Sequence, residues 1–187
     1  MARIVIAYAT GDGQTGRIAQ RISEVLGRQG HDALCVNLGA AAPPPIESFD
    51  AVLVGAPVRF GKHHKNAIAF CRANASALRY RPSAFFSVSL SAHRDTPGAR
   101  REVAKALAHL LGATGWVPPR IVTIAGALLY TKYGFVLRRV MRLIAVMAGH
   151  DTDMSRDFEY TDWAAVEAFA RDFAAGLLAP AAARPAA

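Results

Sequence analysis

The first fifteen residues contain a pattern that could bind an anionic group. An apolar run, residues 4–9, leads into the loop T-G-D-G-Q-T, and an amphipathic helix begins at or just after Thr15. Free backbone N–H groups at a helix N-terminus stabilise a phosphate, and the two glycines would let the backbone approach it closely. A tight turn with Thr15 as helix N-cap is the alternative explanation. The candidate phosphate-binding residues are Thr10, Gly11, Asp12, Gly13, Gln14 and Thr15.

Alternating strands and helices must position this loop. Several apolar runs are almost continuous, as expected for parallel strands covered on both faces. The alternation predicts an α/β fold with a doubly wound, five-stranded parallel sheet, whose ligands bind beyond the carboxyl ends of the strands. The predicted strands are 3–8, 33–38, 51–55, 84–90 and 120–125, and the predicted helices are 15–28, 64–78, 97–111 and 161–178.

One long segment departs from this alternation. Residues 126–159 form an insertion after the fifth strand, and structureless segments of that length are uncommon and usually functional. The stretch 135–147 predicts a helix with Arg138, Arg139 and Arg142 on one side and large apolar residues on the other. This pattern is typical of a helix lying in a membrane interface. A helix docked on the domain, with its arginines in solvent, is the alternative.

The predicted strands, helices and insertion together form a single predicted domain, residues 1–178. The tail 179–187, rich in alanine and proline, is expected to be flexible. Segment 39–49 contains three consecutive prolines and predicts a crossover loop with at most one helical turn. Apolar and aromatic residues early in the insertion would add to a membrane-facing surface. These are Leu128, Leu129, Tyr130 and Tyr133.

Three further loops follow predicted strands and would meet at the same edge of the sheet. After the third strand, Arg59 and Lys62 could stabilise an anionic ligand, Phe60 could cover a planar ring, and Gly61 would free backbone N–H groups. A basic surface loop is the alternative. The loop after the fourth strand offers hydroxyl and amide groups. The candidate binding residues in these loops are Pro57, Val58, Arg59, Phe60, Gly61, Ser89, Leu90, Ser91, Ala92, Ala127 and Leu128.

Positive charge is concentrated in the middle of the chain. The formal net charge is +8, and residues 51–150 hold 15 lysine and arginine residues against only Asp95 and Glu102. This separation of positive from negative residues favours an anionic partner. The candidates are an acidic lipid surface, a substrate with carboxylates and a nucleic acid. Aromatic residues are not interleaved with the basic ones, which argues against nucleic acid.

Other kinds of chemistry find little support in the residue pattern. Cys35 and Cys71 are isolated in the sequence, so we expect both to be reduced and to lie in the core of a cytoplasmic protein. The histidines lack metal-ligand spacing and no serine lies in a nucleophile-elbow pattern, so we predict no metal and can name no catalytic side chain. A cofactor that carries out the chemistry fits this pattern. We also expect no secretory signal and no bilayer-spanning segment.

The loop T-G-D-G-Q-T resembles the phosphate-binding loop of flavodoxins, whose pattern is Ser/Thr-x-Thr-Gly-x-Thr. Asp12 stands where a hydroxyl residue is usual, so we expect its carboxylate to turn away from a phosphate and its backbone alone to contribute. The D-G-Q-T form resembles the flavodoxin-like, FMN-dependent protoporphyrinogen IX dehydrogenase (quinone) family of bacteria. Further matches lie at 59–64, 82–90, 125–130, 149–153 and 160–163, together with the long insertion.

This resemblance implies a cofactor, a reaction and partners. FMN would be held by the phosphate loop and framed by the three other loops. Protoporphyrinogen IX would be oxidised to protoporphyrin IX in haem biosynthesis, and the electrons would pass to menaquinone or ubiquinone. The basic segment would meet the substrate's propionates. The candidate propionate ligands are Arg59, Lys62, Arg94 and Lys132.

The resemblance also implies a place in the cell, and it leaves alternatives. A cytoplasmic protein associated peripherally with the inner membrane, with an anionic membrane surface as partner, fits the amphipathic insertion, and homo-oligomers are a further expectation. A flavodoxin-like electron carrier is one alternative, although such carriers are generally acidic. An NAD(P)H quinone reductase of the same fold is another, although no dedicated nicotinamide motif stands out. A basic binding module without flavin is the non-enzymatic alternative.

Overall fold

Five parallel strands form the central sheet of the computed structural model, which describes residues 1–132, 139, 146, 153 and 155–178. The strand order is β2-β1-β3-β5-β6, so the chain starts in the middle of the sheet and winds outward in both directions. A short strand, β4, pairs antiparallel with the end of β3. The strands are β1 (Arg3–Tyr8), β2 (Asp32–Asn37), β3 (Ala51–Arg59), β4 (Lys62–His63), β5 (Ser83–Ser89) and β6 (Ile121–Ala125).

Helices cover both faces of the sheet, because side chains of alternate residues in β1 are buried on opposite sides. Ile4 and Ile6 belong to the core beneath α1 and α5, whereas Val5 and Ala7 belong to the core beneath α2, α3 and α4. The predicted doubly wound parallel sheet is therefore confirmed. The helices are α1 (Gln14–Arg28), α2 (Lys65–Ala73), α3 (Ala75–Tyr80), α4 (Pro97–Thr114) and α5 (Trp163–Leu178).

Helix α1 is held in place by one apolar stripe. Ile18, Ile22, Val25 and Leu26 recur at helical spacing, and all four are buried against the sheet. Full burial of an aliphatic side chain contributes about 2 kcal/mol. This packing fixes the N-terminus of α1 at the carboxyl end of β1, next to the loop that precedes it.

Two predicted elements differ from the structure in ways that have a clear physical cause. The predicted helix 64–78 is broken at Asn74, whose side-chain Nδ2 donates to the Phe70 carbonyl oxygen over 2.9 Å. Asparagine offers the backbone such local alternatives to helix, and α3 begins afresh at the next residue. The third strand continues beyond residue 55 to Arg59, because β4 supplies a pairing partner. Segment 39–49 contains the single helical turn that was expected, Ile46–Ser48.

The ends of the insertion form a small second sheet that the sequence did not predict. Strands β7 (Ala127–Leu128) and β8 (Phe158–Glu159) pair antiparallel. Leu128, Leu129 and Tyr130 are buried in a cluster with Phe158. The expectation that these three residues face a membrane is therefore wrong, because they form the packed base of the insertion.

Two predicted segments fall largely outside the described residues. Within 135–147 only Arg139 and Val146 are described, and both are exposed, while Tyr133 and the tail 179–187 lie outside. No helix in the described ranges is long and apolar enough to cross a membrane.

Candidate functional site

Four loops at the carboxyl ends of β1, β3, β5 and β6 meet in one cleft. Because neighbouring parallel strands end at the same edge, residues distant in sequence come together there. The phosphate-loop candidates form one wall, and β3, β5 and the start of the insertion form the others. The lining residues are Thr10, Gly11, Asp12, Gln14, Thr15, Pro57, Val58, Arg59, Val88, Ser89, Leu90, Gly126 and Ala127.

The loop between β1 and α1 has the geometry of an anion site. Gly13 adopts a left-handed φ of 96° and donates its N–H to Thr10 Oγ1 over 2.9 Å, which closes the turn. Gly13 also occupies the N-cap position of α1, where it offers no side chain to satisfy the first helical N–H groups. Thr15 in the first turn is buried. The N–H groups at the start of α1 lie at the positive end of the helix dipole, so this loop fits a phosphate group.

Gln14 does not present its side chain to this anion site. Its amide Nε2 donates to Glu159 Oε1 over 3.0 Å and to Thr161 Oγ1 over 2.9 Å. Arg17 Nη1 donates to Gln14 Oε1 and to Glu159 Oε2. Both amide protons of Gln14 are thereby used, and only its backbone remains for a phosphate. The hydroxyl of Thr161 in turn donates to the Ala125 carbonyl oxygen at the end of β6.

Glu159 carries a stabilised negative charge in this network. Burial alone would raise the pKa of its carboxyl, but hydrogen bonds from Gln14 and Arg17 and the charge of Arg17 hold the pKa below its usual value. The ionised carboxylate therefore fixes the end of the insertion to the first turn of α1. No local sequence pattern signals this role, because Gln14 and Glu159 are separated by 145 residues.

Asp12 faces the third strand. Its carboxylate forms an ion pair with the guanidinium of Arg59, and both residues line the cleft. An added Cβ on Gly11 would lie 3.0 Å from Arg59 Cζ, so the guanidinium packs directly on this glycine. Arg59 thus holds the Asp12 carboxylate at the cleft wall, and the expectation that this carboxylate turns away from a bound phosphate stays a prediction.

Phe60 and Gly61 form the two-residue tip of the β3–β4 hairpin. Both have positive φ, 51° and 73°, as in a type I′ turn, and Arg59 pairs with Lys62 across it. A left-handed phenylalanine is unusual, and its side chain is 80% exposed. Phe60 therefore stands beyond the cleft rim, where it could approach a bound planar ring from outside.

The far wall of the cleft is joined by backbone hydrogen bonds. Gly126 N donates to the Ser89 carbonyl oxygen over 3.1 Å, and Tyr160 N donates to the Gly126 carbonyl oxygen over 3.1 Å. A Cβ on Gly126 would lie 3.3 Å from Val88 Cγ1, so a larger residue would push the two loops apart. The β5 loop and both ends of the insertion thus form one continuous wall.

Most candidates from the sequence lie in the cleft wall, and the others lie around it. Ser91 donates to Glu102, and the backbone N–H of Ala92 donates to Ser89 Oγ. Val88 is a lining residue that sequence reasoning missed, because an apolar residue late in a strand gives no binding signal. The candidates outside the lining are Gly13, Phe60, Gly61, Ser91, Ala92 and Leu128.

Two adjacent histidines have separate structural roles. His63 is buried, and its Nε2 lies 2.8 Å from Ser87 Oγ. Burial lowers the pKa of His63 to about 4, so the ring is neutral at pH 7. His64 caps α2, since its Nδ1 accepts from Asn66 N. Within the described part of the chain, no group of three or more potential ligands could hold a metal.

Cations occur on segments that adjoin the cleft-lining loops in sequence. Lys62 and Lys65 are exposed on β4 and α2, and Arg94 is half-buried at the end of the turn that follows Leu90. No aspartate or glutamate occurs between residues 51 and 94. A ligand that enters from this side meets a positive surface. For Lys132 only the backbone position is described, in the short 3-10 turn Tyr130–Lys132.

Comparisons with known proteins agree with this geometry. A family model described as flavodoxin domain matches residues 5–155. The chain is 35% identical over 172 residues to protoporphyrinogen IX dehydrogenase (quinone) of Escherichia coli strain K12, with 92% of this chain and 94% of that protein covered. It is 34% identical over 176 residues to the protein of the same name from Leishmania major, with 92% and 75% covered. Oxidised flavodoxin 1 from Bacillus cereus superposes with a TM-score of 0.55 at 16% identity, over 91% of this chain and 96% of that one, a likeness of fold alone.

Proposed function

Because the chain belongs to the flavodoxin-like family of protoporphyrinogen IX dehydrogenases (quinone), we propose that it oxidises protoporphyrinogen IX to protoporphyrin IX with FMN as cofactor and a quinone as electron acceptor. The observation that carries the proposal is the cleft at the strand carboxyl ends, with an uncapped helix N-terminus in its wall. The reaction is an oxidoreduction that removes electrons from the substrate in three two-electron rounds.

The chain's own groups bind and orient the cofactor. The backbone N–H groups at the start of α1 would hold the phosphate, while Thr10 keeps its hydroxyl proton free to donate because its oxygen accepts from Gly13. Loops 57–59, 88–90 and 126–127 would frame the ring. When bound, FMN supplies the two-electron acceptor that links substrate to quinone.

The substrate's carboxylates would meet the cationic mouth of the cleft. The candidates for propionate contacts whose side chains the structure describes are Arg59, Lys62 and Arg94, and Lys132 completes the set that the sequence suggested. Charges at such an open rim mainly steer an anion toward the site, so their contribution should fall as ionic strength rises.

Cytoplasmic localisation with peripheral attachment to the inner membrane is part of the proposal. Both the porphyrinogen and a quinone are poorly soluble, and the segment 135–147 has the sequence pattern of an interfacial helix. Val146 in that segment is 56% exposed, as an apolar residue facing lipid would be. Self-association stays a prediction that sedimentation of the purified protein would test.

An anaerobic flavin-bleaching experiment tests the proposed reaction. The protein is loaded with FMN, protoporphyrinogen IX is added, and visible absorption of the flavin and fluorescence of the porphyrin are followed together. Bleaching with porphyrin formation, followed by recovery on adding menadione or a ubiquinone analogue, is expected. Bleaching by NADPH, with none by the porphyrinogen, would instead support a quinone reductase.

Membrane attachment has its own test. Cosedimentation with vesicles that contain phosphatidylglycerol should fall at least severalfold when Arg138 and Arg142 are both changed to glutamate, since each basic residue near an anionic surface contributes about 1 kcal/mol. In the matched control, Arg28 and Arg72 are both changed to glutamate; they are exposed cations on α1 and α2. Equal losses in both double variants would mean that net charge, rather than the insertion, drives binding.

A further inference from the structure

The phosphate loop contains a carboxylate at a place where an anion must bind. Asp12 lies two residues before the first residue of α1, and it is the acidic residue among those that line the cleft. An unpaired carboxylate there would repel a phosphate dianion. This residue is also the one that departs from the hydroxyl pattern of flavodoxin loops, so its presence calls for a compensating group.

Arg59 supplies that compensation from the opposite loop. It is the cation among the described residues that line the cleft, and its Nη2 pairs with Asp12 Oδ1. Its Cζ and Nη2 would both lie 3.0 Å from a Cβ on Gly11, so the guanidinium lies across the loop backbone itself. The side chain is 42% exposed, so an incoming ligand can reach part of it.

A purely stabilising role explains this arrangement less well. Half-exposed ion pairs contribute little to stability, because solvent screens them and two side chains must be ordered. A guanidinium, however, carries five N–H donors in a rigid fork, so it can hold a carboxylate with one edge and a phosphate with another. The close approach to Gly11 places those donors beside the loop that precedes α1.

We propose that Arg59 masks the charge of Asp12 and binds the phosphate of FMN through its remaining N–H groups, so that the pair selects a phosphorylated flavin over riboflavin. This inference rests on the proposed function, since it takes FMN as the ligand of the cleft. Asp12 acts as a positioning residue that holds the guanidinium across Gly11. Arg59 thereby serves the cofactor before it serves any substrate carboxylate.

The test compares the affinities of FMN and riboflavin for apoprotein variants, measured by quenching of flavin fluorescence. Arg59→Gln should weaken FMN binding by about 10- to 100-fold, the range for losing a charge-assisted hydrogen bond, and leave riboflavin almost unchanged. Asp12→Asn in the Arg59→Gln background should recover much of the loss, because the unmasked carboxylate is removed. Asp12→Asn alone should have a far smaller effect.

Two controls separate this role from folding and from net charge. Arg59→Lys keeps the cation but loses the fork, so it should weaken FMN binding clearly less than Arg59→Gln does and leave riboflavin binding unchanged. Arg72→Gln removes one exposed cation on α2 and should leave both affinities unchanged. Near-ultraviolet circular dichroism of each apoprotein checks its folding.

Four results would overturn the inference. Equal weakening of FMN and riboflavin by Arg59→Gln would mean that Arg59 only supports the cleft wall. Failure of Asp12→Asn to restore FMN binding in that background would mean that Asp12 is not masked. If the wild-type protein binds neither flavin, the proposed function fails as well. If the wild type binds FMN and every variant binds it with the same affinity, only this inference fails.

Discussion

The amide of Gln14 donates to the carboxylate of Glu159 over 3.0 Å, which joins the first turn of α1 to the strand that closes the insertion. Because Gln14 is buried, Gln14→Ala should lower the free energy of unfolding by about 1.5–3 kcal/mol, the contribution of a hydrogen bond to a charged group. Urea denaturation of the apoprotein at pH 7 measures this loss.

Gln14→Glu is the sharper variant at the same position. Two carboxylates would then face each other, so the loss should exceed that of Gln14→Ala at pH 7. The difference should shrink as the pH falls below about 5, where carboxylates begin to be protonated. Equal losses for both variants at every pH would contradict the contact with Glu159.

Gly55 in the middle of β3 has no room for a side chain. A Cβ there would lie 2.0 Å from Phe86 Cζ, so Gly55→Ala should destabilise the protein by about 2–3 kcal/mol through overpacking of the core. In the Phe86→Leu background the same change should cost less, because the clashing ring is absent. Gly27→Ala is the matched control: this helical position is open, and alanine should add up to about 0.5–1 kcal/mol in thermal or urea unfolding.

The sheet could be predicted from sequence because its signals are local. Most parallel strands are apolar runs that end where a turn signal begins, so the doubly wound sheet and its ligand-binding edge follow from general topology. The β4 hairpin could not be predicted in the same way. Its tip carries Phe60 in a left-handed conformation that asparagine or glycine would normally signal.

The site could be predicted only as a set of loops. Sequence reasoning placed Thr10, Gly11 and Arg59 near one another, because parallel strands end at one edge. It could not show that Asp12 pairs with Arg59 or that Gln14 binds Glu159, since partner choice across the cleft depends on side-chain geometry. The sequence therefore predicts that polar residues of the loop donate to a ligand, whereas the structure shows that some of them connect two loops.

Phe60→Asn should separate stability from activity. Asparagine tolerates the left-handed region that Phe60 occupies, so the variant should gain about 1 kcal/mol in free energy of unfolding. If Phe60 contacts the bound ring or the substrate, kcat/KM for the porphyrinogen should fall by about tenfold, which corresponds to about 1.4 kcal/mol of lost binding in the transition state. A gain in stability with unchanged kcat/KM would limit Phe60 to a surface position.

His63 should make folding stability depend on pH between about 4 and 6.5. Burial lowers its pKa to about 4, whereas the unfolded chain titrates near 6.5, so the unfolded state binds more protons in this interval. Stability from the neutral ring is fully present above pH 6.5 and is lost as the pH falls toward 4, by up to about 3 kcal/mol. His63→Gln can keep a hydrogen bond to Ser87 but cannot titrate, so its stability should fall less than that of wild type over the same interval. Urea unfolding at several pH values gives the free energy of unfolding of both proteins. The difference between them removes the contribution of the carboxylates that both proteins share. If the two free energies change with pH in parallel, the folded protein does not disfavour protonation of His63.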